Sequence, residues 1–191
     1  RDEVVFELLP RAFTGSTLTN AYLSPQDGWI VVDSPTLSKA EELVVLLGQS
    51  LGQLAAEPYA PSTGATVELT KWLADGVAPA GLSLGDECEL REPADGGAVV
   101  RCLRQDLNGD EIRAHLRSRK LVQKLSLVFE ERLSFVLHTD LTVKRLKMEA
   151  VDELDWLDDD DEIARLDADF AFMTTEYSRL LERLVSIFGA G

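Results

Sequence analysis

Apolar and polar residues alternate along this chain with a period that changes several times. Residues 124–129 put Leu125, Leu127 and Phe129 on one side, and residues 133–138 do the same with Leu133, Phe135 and Leu137. A period of two is that of a strand with one buried face, so both segments are predicted strands, with the other face toward solvent or ligand. A third strand follows. In it Leu141 and Val143 point one way while Leu146 and Met148 run out of phase, which predicts a bulge near Lys144 and Arg145.

Shorter alternating runs lie earlier. Residues 21–23 and Trp29–Asp33 read as a hairpin, because Pro25 and Gly28 supply turn chemistry between them. Residues 81–84 read as a short extended piece. Residues 87–91 and 98–103 read as a second hairpin across Pro93, Ala94, Asp95, Gly96 and Gly97, where glycine admits positive φ.

Helical periodicity occupies the intervals. Leu43, Leu46, Leu47, Leu51 and Leu54 form a stripe on a helix capped by Thr36 or Ser38, with Glu41 and Glu42 favouring its N-terminal end. A helix over 66–75 carries Leu69, Trp72 and Leu73 on one face and stops at Gly76. Asn108 is the expected cap of a helix over 109–118. A long last helix starts near Glu162 or Asp169 and ends at Phe188, with Phe172, Tyr177, Leu180, Leu181, Leu184 and Ile187 on its apolar face. Residues 2–9 read as a short helix ended by Pro10.

These elements predict an α+β protein of antiparallel mixed sheets with flanking helices. Residues 57–64 hold two prolines and a Ser-Thr-Gly tail and are the best linker. They divide the chain into a small α/β lobe, 1–62, and a larger α+β lobe, 63–191.

Charge sharpens this picture. The 191 residues carry 19 Lys and Arg against 34 Asp and Glu, a net of −15. Residues 101–147 nevertheless hold 11 of the bases and only 6 acids, so that stretch is +5 and the remainder −20. A basic stripe on an acidic body is what a protein needs to hold a polyanion on one surface and repel it elsewhere. It equally suits docking onto an acidic protein surface, and charge alone leaves the two readings level. Residues 152–162, with eight acids in eleven positions, read as an acidic loop that could serve as such a surface.

Within the stripe, Arg113, Arg117 and Lys120 share a helix face by spacing. Lys124 starts the next strand, Lys144, Arg145 and Lys147 cluster two strands later, and Arg101 and Arg104 end the strand before the helix. These bases are expected to converge on one groove. They would bind phosphates by counterion release, without reading sequence.

Catalytic groupings do not emerge. The two histidines, His115 and His138, stand apart from any nucleophile elbow, Gly-rich loop or Cys/His cluster. Asp158 to Asp161 lack the alternating ligands and central glycine of an EF-hand loop. No enzyme activity, cofactor or metal is expected. Cys88 and Cys102 are expected as buried free thiols, no stretch is apolar enough to span a bilayer, and a cytoplasmic protein is expected. The chain opens without a Met, which suggests a fragment or a processed form.

Several strings together resemble the RdgC family of recombination-associated proteins. They are Asp2-Glu3-Val4 with Leu8-Leu9-Pro10-Arg11-Ala12-Phe13, Val67-Glu68-Leu69-Thr70-Lys71-Trp72, and Asp86-Glu87-Cys88-Glu89-Leu90. They continue with Arg104-Gln105-Asp106-Leu107, Glu111-Ile112, Lys144-Arg145-Leu146-Lys147, Asp167-Ala168-Asp169-Phe170 and Met173-Thr174. Each string is short, and their collinear order carries the resemblance. It implies a nucleoid-associated homodimer, ring-shaped, that binds double-stranded DNA without marked sequence preference and restrains RecA-driven recombination. It further implies DNA engagement by Phe13 with Arg11 beside it, and DNA contact by Arg104 and Gln105. Relatives are longer at the N-terminus by roughly a third, so the ring could be incomplete in this chain. The rival expectation is an assembly scaffold whose basic segment docks on an acidic partner surface.

Overall fold

The computed structural model describes residues 12–13, 15–34, 36–148 and 162–189. Two compact units divide between Glu57 and Pro58. The helix expected over 2–9, the acidic stretch 152–161 and Arg11 lie outside the described residues.

In the first unit, β1 (Asn20–Ser24) and β2 (Trp29–Asp33) pair antiparallel, with Asn20 opposite Asp33 and Ser24 opposite Trp29. The turn closes as the Gly28 N–H donates to the Ser24 carbonyl at 2.9 Å, and the Ser24 hydroxyl donates to Asp27 Oδ2 at 2.7 Å. Gly28 sits at φ 74°, a region that favours glycine. Helix α1 (Leu37–Leu51) starts at Thr36, whose backbone is extended, and stops at Gly52. Neither Thr36 nor Ser38 caps it with a side-chain bond to a helix N–H; instead the Ser38 hydroxyl donates to Thr36 Oγ1. No residue of α1 is buried.

The second unit is built on one five-stranded antiparallel sheet, in the order β4-β3-β5-β6-β7. Its strands are β3 (Leu82–Arg91), β4 (Val99–Leu103), β5 (Leu121–Phe129), β6 (Leu133–His138) and β7 (Val143–Met148). Helices α2 (Ala65–Asp75), α3 (Asp110–Arg117) and α4 (Glu162–Phe188) complete it. The class is α+β, with four helices among the described residues and a long C-terminal one, as the periodicity predicted.

The core confirms the alternation. Leu125, Leu127, Phe129, Leu133, Phe135 and Leu137 are all buried, and they pack in one cluster with Leu69, Trp72 and Leu73 of α2, Ile112 of α3 and Leu180, Leu184 and Phe188 of α4. Burying a large apolar side chain contributes about 1.5–3 kcal/mol, so this face holds the helices to the sheet. The loop before α2 is tied down as well. Ser62 and Thr63 donate their N–H groups to the Phe188 carbonyl, each at 3.1 Å, and the Tyr59 hydroxyl donates to the Gly189 carbonyl. These bonds satisfy C-terminal carbonyls that the helix itself leaves unpaired.

Three local expectations are corrected. Residues 81–84 and 87–91 belong to one strand, β3, which slips register against β5 between Leu84 and Cys88. Gly85 lies in the slip, where any Cβ would collide with Ser126 Oγ, so the close crossing of β3 over β5 requires glycine. Strand β5 begins at Leu121, three residues earlier than expected, because a second irregularity opposite Glu89 and Leu90 leaves Gln123 unpaired with β3. Val122 and Leu125 therefore both face inward, which hides the period of two. Finally, α3 is capped by Gly109, not Asn108. The Asn108 N–H turns back to Asp106 Oδ1 at 2.9 Å, and its side-chain oxygen fills the space beside Gly76.

The bulge expected in the third strand is present. Ser134 pairs with Lys147 and Val136 with Lys144, so Arg145 and Leu146 together oppose Phe135. Arg145 takes φ 52° to make it.

Candidate nucleic-acid interface

Helices α2, α3 and α4 cover one face of the five-stranded sheet, and strand register determines what the other face carries. On β5 the outward positions after Leu125 and Leu127 are Lys124, Ser126 and Val128. Their partners on β6 are His138, Val136 and Ser134, and the partners of those on β7 are Lys144 (opposite Val136) and Lys147 (opposite Ser134). On β3 Glu89 lies opposite Lys124 and also opposite Arg101 of β4, and Arg91 follows two residues on, opposite Val99. One sheet face thus gathers Arg91, Arg101, Lys124, Lys144, Arg145 and Lys147 with two carboxylates, Glu87 and Glu89.

The carboxylates are held closely. Glu89 is buried, and its Oε2 accepts from Arg101 Nε at 2.8 Å and from Lys124 Nζ at 2.9 Å. The bond from Lys124 lowers its pKa most, and the bond and charge of Arg101 add to that, against a burial penalty that raises it. Glu87 receives both terminal nitrogens of Arg145, one of them at 3.0 Å. This is a fork of the kind a guanidinium makes with phosphate as readily as with carboxylate.

The Arg145–Glu87 contact also reports shape. Strands β7 and β3 are separated by β5 and β6. Three steps of about 4.8 Å between neighbouring strands could be bridged on a flat sheet only with both side chains laid fully extended toward each other. Side chains stand roughly perpendicular to a sheet, so the contact points to a face that curls toward its polar side, forming a trough. At one end of it, a cleft of about 380 Å³ is lined by Arg91, Val99, Leu121, Gln123 and the residues 92–97 loop.

Sequence reasoning passed over His138, which faces this trough opposite Lys124. Burial lowers its pKa most, and Lys124 and Lys144 lower it further against the raising effect of Asp140 and Glu89. Glu87, Glu89 and Arg91 were also missed as site residues. The signal was present, since residues two apart on a strand share a face, but it needed the strand's orientation.

Arg113, Arg117 and Lys120 stand on or just after α3, away from this face, so the bases of residues 101–147 do not all meet in the single groove expected of them. Arg113 and Arg117 are exposed on α3, whose Ile112 is buried in the core beneath the opposite sheet face. Lys120 follows that helix, its Nζ donating to Ser118 Oγ at 3.3 Å. Arg104, exposed at φ 54°, and Gln105 leave the end of β4. There the Gln105 N–H donates to the Asp86 carbonyl and its side-chain amide donates to Glu111 Oε2 at 2.8 Å. Phe13 is fully exposed in the other unit. Among the described residues no group of three or more His, Cys, Asp or Glu side chains is placed to hold a metal ion, and no helix is long and apolar enough to cross a membrane.

Comparison with known proteins agrees with the strings noted in the sequence. The family model described as "Putative exonuclease, RdgC" matches residues 1–191. The recombination-associated protein RdgC of Aeromonas hydrophila is 42% identical over 191 residues, covering 99% of this chain and 63% of its own length. That of Xanthomonas axonopodis pv. citri is 44% identical over 182 residues, 94% of this chain and 60% of its own. That of Tolumonas auensis is 39% identical over 191 residues, with 99% and 63% covered. The chain therefore spans about three fifths of the length of these curated relatives.

Proposed function

This chain belongs to the RdgC family, and on that footing we propose that it holds double-stranded DNA through backbone phosphates and restrains RecA-dependent recombination. The relatives carry the name recombination-associated protein, which supports a role in recombination. The observation that carries the DNA reading is the curled sheet face with its six Lys and Arg side chains on a chain whose net charge is −15.

The mechanism is steric and electrostatic. Bases in a concave face release counterions from a polyanion on contact, so affinity falls steeply with salt and depends little on sequence. Acid elsewhere on the chain repels the same polyanion and so orients it. DNA occupied in this way is withheld from RecA. A homodimer, nucleoid association, and DNA contact by Arg11, Phe13, Arg104, Gln105, Arg113, Arg117 and Lys120 belong to the same proposal, and the role is non-catalytic.

The test is fluorescence-anisotropy binding of this chain to a random-sequence duplex at 50 and 200 mM salt. Weakening by tenfold or more is expected, because several phosphate contacts are each salt-linked. Absence of binding at 50 mM would overturn the reading for this chain. The exonuclease named in the family description is tested on the same duplex, end-labelled and incubated with Mg²⁺ or Mn²⁺; progressive shortening would replace the non-catalytic role.

A further inference from the structure

Glu87 and Glu89 are conspicuous on a face where Arg91, Arg101, Lys124, Lys144, Arg145 and Lys147 are bases. They stand two residues apart on β3, so their Cα atoms are about 6.6 Å apart along the strand. That separation is comparable to the distance between successive phosphates of a nucleic-acid strand. The two carboxylates engage three cations from three different strands: Arg145 of β7, Arg101 of β4 and Lys124 of β5. Their partners remain accessible, with side chains 69% exposed for Arg101, 57% for Arg145 and 36% for Lys124. The carboxylates themselves are far more enclosed, at 22% for Glu87 and 8% for Glu89. An incoming anion can therefore reach the cations from the open side of the trough while the carboxylates lie beneath them.

We propose that Glu87 and Glu89 are internal stand-ins for two successive phosphates, holding the trough self-paired until a nucleic-acid strand running along β3 takes over their cations. This rests on the DNA-binding reading and adds to it a path for the bound strand and an autoinhibitory pair. A carboxylate beside its cation offsets the charge that the cation presents to a phosphate, so the pair lowers both the affinity and the net number of phosphates neutralised, and with it the salt sensitivity. Exchange needs no large movement, because the Arg145 fork fits either anion. The arrangement penalises weak or isolated anions, which cannot replace both carboxylates together.

The test compares duplex binding by this chain, by the Glu87→Gln/Glu89→Gln variant and by a Lys144→Glu/Lys147→Glu variant across a salt series. The glutamine variant is expected to bind at least tenfold more tightly at 100 mM salt. Its plot of log affinity against log salt should steepen by roughly 1 to 3, according to how many of the three cations become salt-linked. The charge reversals are expected to weaken binding. Weaker binding by the reversals with unchanged or weaker binding by the glutamine variant overturns the stand-in role alone. Reversals without effect overturn the trough as the DNA surface, and this inference with it. Should the double glutamine variant fail to fold by circular dichroism, Glu87→Gln alone frees Arg145 and is read in the same way, with a steepening of about 1.

Discussion

The ring of Phe188 rests on that of Trp72, their centroids 5.7 Å apart and their planes tilted by 43°. The last turn of the chain's final helix is thereby joined to the first helix of the same unit. The Phe188 carbonyl meanwhile accepts from Ser62 and Thr63 just ahead of that helix. One residue thus closes the unit through both its side chain and its backbone. Phe188→Ala should cost about 3–5 kcal/mol, because Phe188 is fully buried and the cavity is lined by a rigid core. Urea denaturation followed by tryptophan fluorescence measures this, and a loss below about 1 kcal/mol would mean that α4 is not part of the cooperative core.

The turn between β5 and β6 stores strain. Glu130 and Glu131 take φ 47° and 59°, and the Arg132 N–H closes the turn on the Phe129 carbonyl at 2.9 Å. Two successive positive φ values suit Asn-Gly, not two glutamates. Glu130 is held by Arg179 of α4, and Arg132 reaches the buried Glu176. Glu131 is exposed. Glu131→Gly should therefore stabilise the protein by about 0.5–1 kcal/mol, the reverse of the usual glycine effect. Thermal denaturation decides it, and a lower melting temperature would refute the strain.

His138 makes stability depend on pH. Its folded pKa lies below the ordinary 6.5, so below pH 6.5 the unfolded chain binds the proton more readily than the folded one. Stability is then fully present above pH 6.5 and declines as pH falls from there through the folded pKa. In His138→Asn that part of the decline should vanish. Urea midpoints between pH 7.5 and 5 provide the comparison, and parallel curves for the two proteins would exclude His138 as the cause.

Cys88 and Cys102 face each other across β3 and β4, both buried, both free. Burial, followed by the neighbouring Cys102, pushes the Cys88 thiol up to about 12, so at pH 8 almost none of it is thiolate, the reactive form. The folded protein should resist a disulfide-exchange reagent such as DTNB, and both thiols should react once urea unfolds it. Rapid reaction of the native protein at pH 8 would contradict this burial.

Much of this architecture was legible in order. Leu125, Leu127 and Phe129 announced a strand because a period of two is imposed by the backbone itself, and Leu69, Trp72 and Leu73 announced α2 for the corresponding reason. The slip of phase between Val143 and Leu146 likewise foretold the bulge at Arg145. Where the local pattern misled, a contact from afar had intervened. Gly85 lets β3 cross Ser126 as one continuous strand, and Gly109 took the cap position because the Asn108 side chain packs beside Gly76.

The candidate site divides in the same way. Sequence alone determined that bases concentrate in residues 101–147 of an acidic chain, since charge is a property of composition. It also determined the family, through strings whose order survives without any coordinates. Which bases share a surface was decided only by the tertiary structure, because register between strands distant in sequence selects the face on which each side chain stands. That register placed Lys124, Lys144 and Lys147 together and left Arg113 and Arg117 on the helix layer. It also brought Glu87 and Glu89 among the bases, converting a simple basic stripe into a paired one. Coulomb attraction acts through space, and only the fold sets the distances.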